Sequence, residues 1–195
     1  YYWLLNYVIF KKIILMTHNG KAIHFSEEDV RPVGRNSFGV KGIDLDKDDY
    51  VIDMGLDSAG EEVLIITENG FGKRTKLDEY RLQGRGGKGL ITAKITEKNG
   101  RLADAKIVDK DMELMIITLD GIVIRVNVNE ISTTGRNTMG VKIIDVKEGD
   151  KVVSVAKIES ENELNENNKD NEEIDSEDNN SNIKTQENDK DDDDD

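Results

Sequence analysis

Leu64-Ile65-Ile66-Thr67-Glu68-Asn69-Gly70 is an apolar, β-branched run that stops at an Asn-Gly pair, and it occurs three times. The other copies are Ile14-Leu15-Met16-Thr17-His18-Asn19-Gly20 and Met115-Ile116-Ile117-Thr118-Leu119-Asp120-Gly121. Asn-Gly or Asp-Gly between β-type runs is a strong hairpin signal, and a two-residue type I′ turn is the expected form because these pairs tolerate positive φ. After the third turn, Ile122, Ile124, Val126 and Val128 alternate with Val123, Arg125, Asn127 and Asn129, the period of a strand with two unlike faces.

The copies stay in step further along. Fourteen residues past each turn glycine stand Gly34-Arg35, Gly84-Arg85 and Gly135-Arg136, and nineteen past it stand Gly39, Gly89 and Gly140. At the fourth position the copies carry His24, Arg74 and Arg125. A short apolar stretch such as Val40 to Leu45 or Val141 to Val146 closes each copy. A strand-rich repeat of this length is the size of one four-stranded blade in a radial β array, in which neighbouring blades complete each other's core. The spacing predicts an all-β body with repeats at about 13–58, 59–108 and 109–158. Three such repeats do not close a ring, so unpaired edges are expected at both ends, together with low stability.

Charge divides the chain. All 17 glycines lie between Gly20 and Gly149, and through Ile158 acidic and basic residues balance. Glu159 to Asp195 holds 17 acidic and 3 basic residues and ends in five aspartates, so the net charge of −14 belongs to this segment. With so few apolar groups it is expected to be a disordered acidic tail. Residues 1–12 are atypical: Tyr1, Tyr2, Trp3, Tyr7 and Phe10 are half of the aromatics. Their apolar run is too short to span a membrane, and its charges follow rather than precede it, unlike a signal peptide. Without an initiator Met, the chain reads as a fragment or a processed product.

Several chemistries are excluded. There is no Cys, and His18 and His24 are the only histidines, so neither a disulfide framework nor a Cys/His metal cluster fits. Gly84, Gly86 and Gly89 match a dinucleotide fingerprint formally, but β-type residues follow where a helix is required. A P-loop fails because Leu90 stands where its Lys belongs. Asp44-Leu45-Asp46-Lys47-Asp48 begins like a calcium loop, but its sixth and twelfth positions are Asp49 and Gly55. Neither a nucleophile–base set nor a carboxylate pair stands out, so no enzyme activity is expected of this chain alone.

A basic, glycine-rich loop remains. Between Lys73 and Lys98 there are 8 basic and 3 acidic residues. Glycines allow close approach to a ligand and expose N–H donors, while Arg and Lys supply charge for a phosphate backbone. Arg35, Arg85 and Arg136 are the first candidates for contact with a phosphate backbone, Lys41, Arg74, Lys88, Arg125 and Lys142 the next. Gln83, Gly86 and Gly87 complete the loop.

Glu68-Asn69-Gly70-Phe71-Gly72-Lys73-Arg74-Thr75, Glu79-Tyr80-Arg81 and Gln83-Gly84-Arg85-Gly86-Gly87-Lys88-Gly89 resemble the C-terminal domain of the bacterial DNA gyrase A protein. So do Asp29-Val30-Arg31-Pro32-Val33-Gly34-Arg35 and Ile131-Ser132-Thr133-Thr134-Gly135-Arg136. The resemblance implies a β-pinwheel whose basic rim wraps double-stranded DNA, as part of a cytoplasmic, nucleoid-associated topoisomerase that introduces negative supercoils. ATP and Mg2+ would act elsewhere in that enzyme, on the rest of gyrase A and on its partner, gyrase B. In the family's box, Gln-Arg/Lys-Arg-Gly-Gly-Arg/Lys-Gly, the second residue is basic; here it is Gly84. Two rival readings are the corresponding domain of topoisomerase IV and a propeller-type scaffold for protein partners. The tail is expected either to compete with DNA for the rim or to act only as a solubilising extension.

Overall fold

The computed structural model describes residues 11–158, and the expectations for residues 1–10 and for the acidic tail lie outside them. Eleven strands form three antiparallel sheets. They are β1 (Lys12–Thr17), β2 (Lys21–Ser26), β3 (Val51–Leu56), β4 (Glu62–Thr67), β5 (Phe71–Lys76), β6 (Leu90–Ile91), β7 (Leu102–Val108), β8 (Glu113–Thr118), β9 (Val123–Asn127), β10 (Val141–Lys142) and β11 (Val152–Ile158). The all-β expectation with three repeats holds.

Each hairpin is built the same way, but not as a type I′ turn. Gly20, Gly70 and Gly121 have φ of 80°, 78° and 83°, while the preceding Asn or Asp keeps negative φ. The glycine N–H donates to the carbonyl of Thr17, Thr67 or Thr118, three residues back. The hydroxyl of the same Thr accepts the N–H of Lys21, Phe71 or Ile122. This is a three-residue loop, a tight turn followed by one left-handed residue. The buried threonine replaces the second ladder bond that the shorter turn would have made.

The sheets are offset from the sequence repeat. The first runs β3-β1-β2-β6 and the second β10-β5-β4-β7, so each takes its fourth strand from the following repeat. Ala22 pairs with Leu90 and Lys21 with Ile91; Gly72 pairs with Val141 and Phe71 with Lys142. The third sheet, β11-β8-β9, has three strands. Val40 to Leu45, equivalent to β6 and β10, forms no strand. A two-residue strand exists only where a preceding blade offers an edge, and among the described residues none precedes the first.

Alternation in the central strands sends side chains to both sides. Ile14 and Met16 of β1 meet Val63 and Ile65 of β4 in one core. Leu64 and Ile66 of β4 turn the other way, onto Leu114 and Ile116 of β8. The stability of the body therefore resides between sheets, at roughly 1.5–3 kcal/mol for each fully buried aliphatic side chain.

Candidate nucleic-acid interface

The Gly-Arg segments lie side by side along one band of loops. Gly86 N–H donates to Gly42 O at 2.6 Å, and Asp44 N–H donates to Gly87 O at 2.8 Å. The third segment binds the second through Lys94 N–H to Thr138 O at 3.0 Å. Each arginine that follows another repeat reaches back to it. Arg85 donates from Nε to Asp29 O at 2.7 Å and from Nη1 to Lys41 O at 3.0 Å. Arg136 donates from Nη1 to Ile91 O at 3.1 Å, the position equivalent to Lys41, and lies over the Tyr80 ring. Arg85 and Arg136 thus fasten one repeat to the previous one. Arg35 is exposed, in a segment with no preceding repeat among the described residues.

The glycines also serve the fold. The Gly86 N–H, expected to be a donor open to a ligand, is used together with the Gly87 carbonyl to join the two loops. Gln83 donates its N–H to His24 O at 2.8 Å. Its side-chain amide nitrogen is buried and has no partner among the described residues.

Arg74 corrects an expectation. It is 6% exposed rather than on the rim, and Nη1 pairs with Glu62 at 2.5 Å while Nε donates to Ile131 O at 2.7 Å. His24, its counterpart one repeat earlier, places Nδ1 2.8 Å from Tyr80 O, and Tyr80 is the counterpart of Ile131. In the first two repeats the fourth residue after the turn glycine is a clasp onto the next repeat. Arg125 occupies the same position in the last repeat; its side chain is 66% exposed and, among the described residues, pairs only with Glu113.

The lysines stay at the surface in weak ion pairs. Lys41 and Lys88 both hold Asp44, at 2.7 and 2.8 Å, and Lys142 pairs with Asp145. Hydrogen bonds from Lys41, then Lys88, with their charges, lower the Asp44 carboxyl to about 2. Exposed pairs of this kind contribute little and exchange readily for another anion. Arg31, Arg81 and Lys94 are exposed along the same band. Sequence reasoning missed them as candidates, although Arg31 and Arg81 share one offset, eleven, from Gly20 and Gly70.

Lys73 stands where the first and third repeats have Ile23 and Ile124, and it is fully buried. Its ammonium donates to Gly135 O at 2.6 Å and to Arg136 O, holding the third Gly-Arg loop. Desolvation lowers it from 10.5 to about 8. Between those values the unfolded chain binds more protons, so stability rises with pH. Burial raises Tyr80 from 10.0 to about 12, so stability falls with pH above 10. Urea unfolding across this range is expected to show stability climbing from about pH 8 and turning down above 10. In Lys73→Met the climb disappears; a variant that kept it would remove Lys73 as the cause.

Among the described residues no group of three His, Cys, Asp or Glu is placed to hold a metal, and no helix is long and apolar enough to cross a membrane.

Comparison with known proteins agrees with this architecture. A family profile described as DNA gyrase C-terminal domain, beta-propeller, matches residues 11–56, 61–109 and 113–159. The DNA gyrase A protein of Ureaplasma parvum is 44% identical over 145 residues, covering 74% of this chain and 17% of that protein. That of Deinococcus deserti is 45% identical over 157 residues, covering 78% and 19%. The chain therefore spans less than a fifth of these relatives. A solved DNA gyrase A C-terminal domain superposes with a TM-score of 0.73 at 28% identity, over 77% of this chain and 52% of that one. The C-terminal domain of DNA topoisomerase IV gives the same score and identity, over 78% and 48%.

Proposed function

The chain belongs to the family of DNA gyrase C-terminal domains, and we propose that its band of loops binds duplex DNA by the phosphate backbone and bends it. The observation that carries this reading is the band itself: Gly-Arg segments joined edge to edge, with Arg31, Lys41, Arg81, Lys88, Lys94 and Lys142 exposed along it. Arg35 is a further exposed cation, whereas Arg85 and Arg136 act by keeping the loops in place. Arg125 is exposed and paired with Glu113 of its own hairpin, and Arg74, which is buried, is withdrawn as a contact. Such binding is tolerant of sequence, and bending 20–30 bp by 40–90° costs on the order of 1–6 kcal/mol, which many phosphate contacts offset.

In this reading the domain supplies DNA to a longer gyrase A protein, and with gyrase B the whole enzyme introduces negative supercoils in the bacterial cytoplasm. Cleavage, ATP and Mg2+ belong to the rest of that enzyme. The gyrase reading is favoured over topoisomerase IV by the names and identities of the curated relatives.

Affinity for a linear duplex, measured by anisotropy at increasing salt, tests the proposal. Replacing Lys41, Arg81, Lys88 and Lys142 by Gln is expected to make the log–log salt slope shallower by about 0.9 for each phosphate that is no longer neutralised. Gly84→Arg should steepen it by about the same increment, because a Cβ there meets nothing within 4 Å. Equal affinities and slopes in all three folded proteins would overturn the reading.

A further inference from the structure

We infer that the joint between the first two Gly-Arg loops is a phosphate subsite in which Asp44 is a tethered counter-ion, displaced from Lys41 and Lys88 by a phosphate of the duplex. The inference rests on the duplex-binding reading above and adds to it the point at which the backbone is gripped. It comes from a difference between two joints that are otherwise alike. In both, a two-residue strand pairs back onto the preceding hairpin, Leu90-Ile91 onto Lys21-Ala22 and Val141-Lys142 onto Phe71-Gly72. In both, the Gly-Arg guanidinium donates to the carbonyl 21 residues past the preceding turn glycine, Lys41 O or Ile91 O.

The side chains around these shared bonds are of opposite character. At the first joint Lys21, Lys41 and Lys88 share the carboxylates of Asp44 and Asp46. The same positions at the second joint hold Phe71, Ile91 and Met139, with Lys94 and Thr96 in place of the two aspartates. There Thr96 Oγ1 lies 3.6 Å from Met139 Sδ. The second joint shows that the strand exchange forms without an ion network. Exposed ion pairs add little stability, so holding the loops together does not account for five charged side chains at the first joint.

Their geometry is that of an occupied anion site. Asp44 gives one oxygen to each loop, Oδ1 to Lys41 Nζ at 2.7 Å and Oδ2 to Lys88 Nζ at 2.8 Å. The carboxylate thus bridges the seam as the two non-bridging oxygens of a phosphodiester would. Its two lysines keep it ionised, with the carboxyl lowered to about 2. The side chains of Lys41 and Lys88 are 63% and 61% exposed and that of Asp44 36%, so an anion in solvent reaches the ammonium groups. Asp46 has its own partner in Lys21. Asp44 can therefore swing out while the rest of the network stays, and one phosphate then faces a lysine from each loop.

Anisotropy with a labelled duplex at one fixed salt concentration tests the inference on the full chain. Asp44→Asn keeps the size of the side chain and the N–H that donates to Gly87 O, so the joint is preserved. Asp48→Asn is the control: it removes the same charge from the same loop, at an exposed residue whose φ of 61° suits Asn. Asp44→Asn is expected to tighten binding about three- to tenfold, since each exposed pair opposes an incoming anion by up to about fivefold. Asp48→Asn should change it less than about twofold, as a screened charge away from the seam. In a Lys41→Gln, Lys88→Gln background the gain from Asp44→Asn should vanish. Equal gains at positions 44 and 48, or a gain that persists without the two lysines, would overturn the inference. Calorimetry with tripolyphosphate separates the subsite from the duplex. Tighter tripolyphosphate binding by Asp44→Asn, with no duplex binding by either protein, supports the subsite and removes the DNA reading. Duplex binding of equal strength in both proteins supports the DNA reading and removes the subsite.

Discussion

Arg74→Ala is expected to lower the unfolding free energy by about 3–5 kcal/mol, the usual cost of leaving one member of a buried ion pair alone. The side chains of Arg74 and Glu62 are 7% and 4% exposed, so solvent does not replace the missing partner. The variant also strands Ile131 O, which accepts from Arg74 Nε, at the junction between the second and third sheets. A domain of ordinary stability has only about 5–15 kcal/mol to lose. The third repeat supplies the control: Arg125→Ala removes the same pairing with Glu113 at a 66% exposed site, and about 0–1 kcal/mol is expected. Urea denaturation of both variants checks the contrast. Replacing Arg74 and Glu62 together by Met should recover most of the loss, since an apolar pair carries no desolvation cost. Equal losses at positions 74 and 125 would contradict the assignment of Arg74 as a buried clasp.

That contrast also shows how far the sequence could be read. Three Thr-x-x-Gly hairpins, three Gly-Arg loops and an all-β body were legible, because turn chemistry and period two are local properties. The form of the turn was misjudged. Asn69-Gly70 suggests two left-handed residues, but Thr67, Thr17 and Thr118 at equal spacing were the signal that a side chain closes the loop. Strand exchange was not legible, because likeness between Val40-Lys41, Leu90-Ile91 and Val141-Lys142 says that they are equivalent, not which edge each will join. The burial of Arg74 was hidden for the same reason. A charged residue recurring at one offset reads as a solvated rim until the crossing of the next repeat over it is known. Arg125, chemically identical and uncovered, shows that position in the array, not residue type, decides the role. The DNA-facing candidates divide along the same line: Arg85 and Arg136 became fasteners, while Lys41, Lys88 and Lys142 remained at the surface.

Gly140→Ala is expected to separate the second sheet from its exchanged strand. Gly140 has φ of 82°, and a Cβ there would lie 2.5 Å from Gly72 O and 2.9 Å from Gly72 C. Left-handed backbone alone costs a non-glycine residue roughly 1–2 kcal/mol. The backbone overlap comes on top, and it cannot be relieved by rotating a side chain. The strand must move off β5, breaking the Val141–Gly72 pairing and loosening the loop that Lys73 holds. Gly39→Ala measures the first component by itself, since Gly39 shares the conformation, with φ of 76°, but faces open space. Thermal unfolding of the pair should therefore show a small loss for Gly39→Ala. For Gly140→Ala it should show a distinctly larger one, with hydrogen exchange accelerated at Gly72 and Val141. Equal losses would mean that the left-handed conformation accounts for the glycine at this position and that the close approach to β5 adds nothing. A larger loss at position 140 means that the glycine is required by the strand crossing between repeats. That crossing is also what carries the loop band from one sheet to the next.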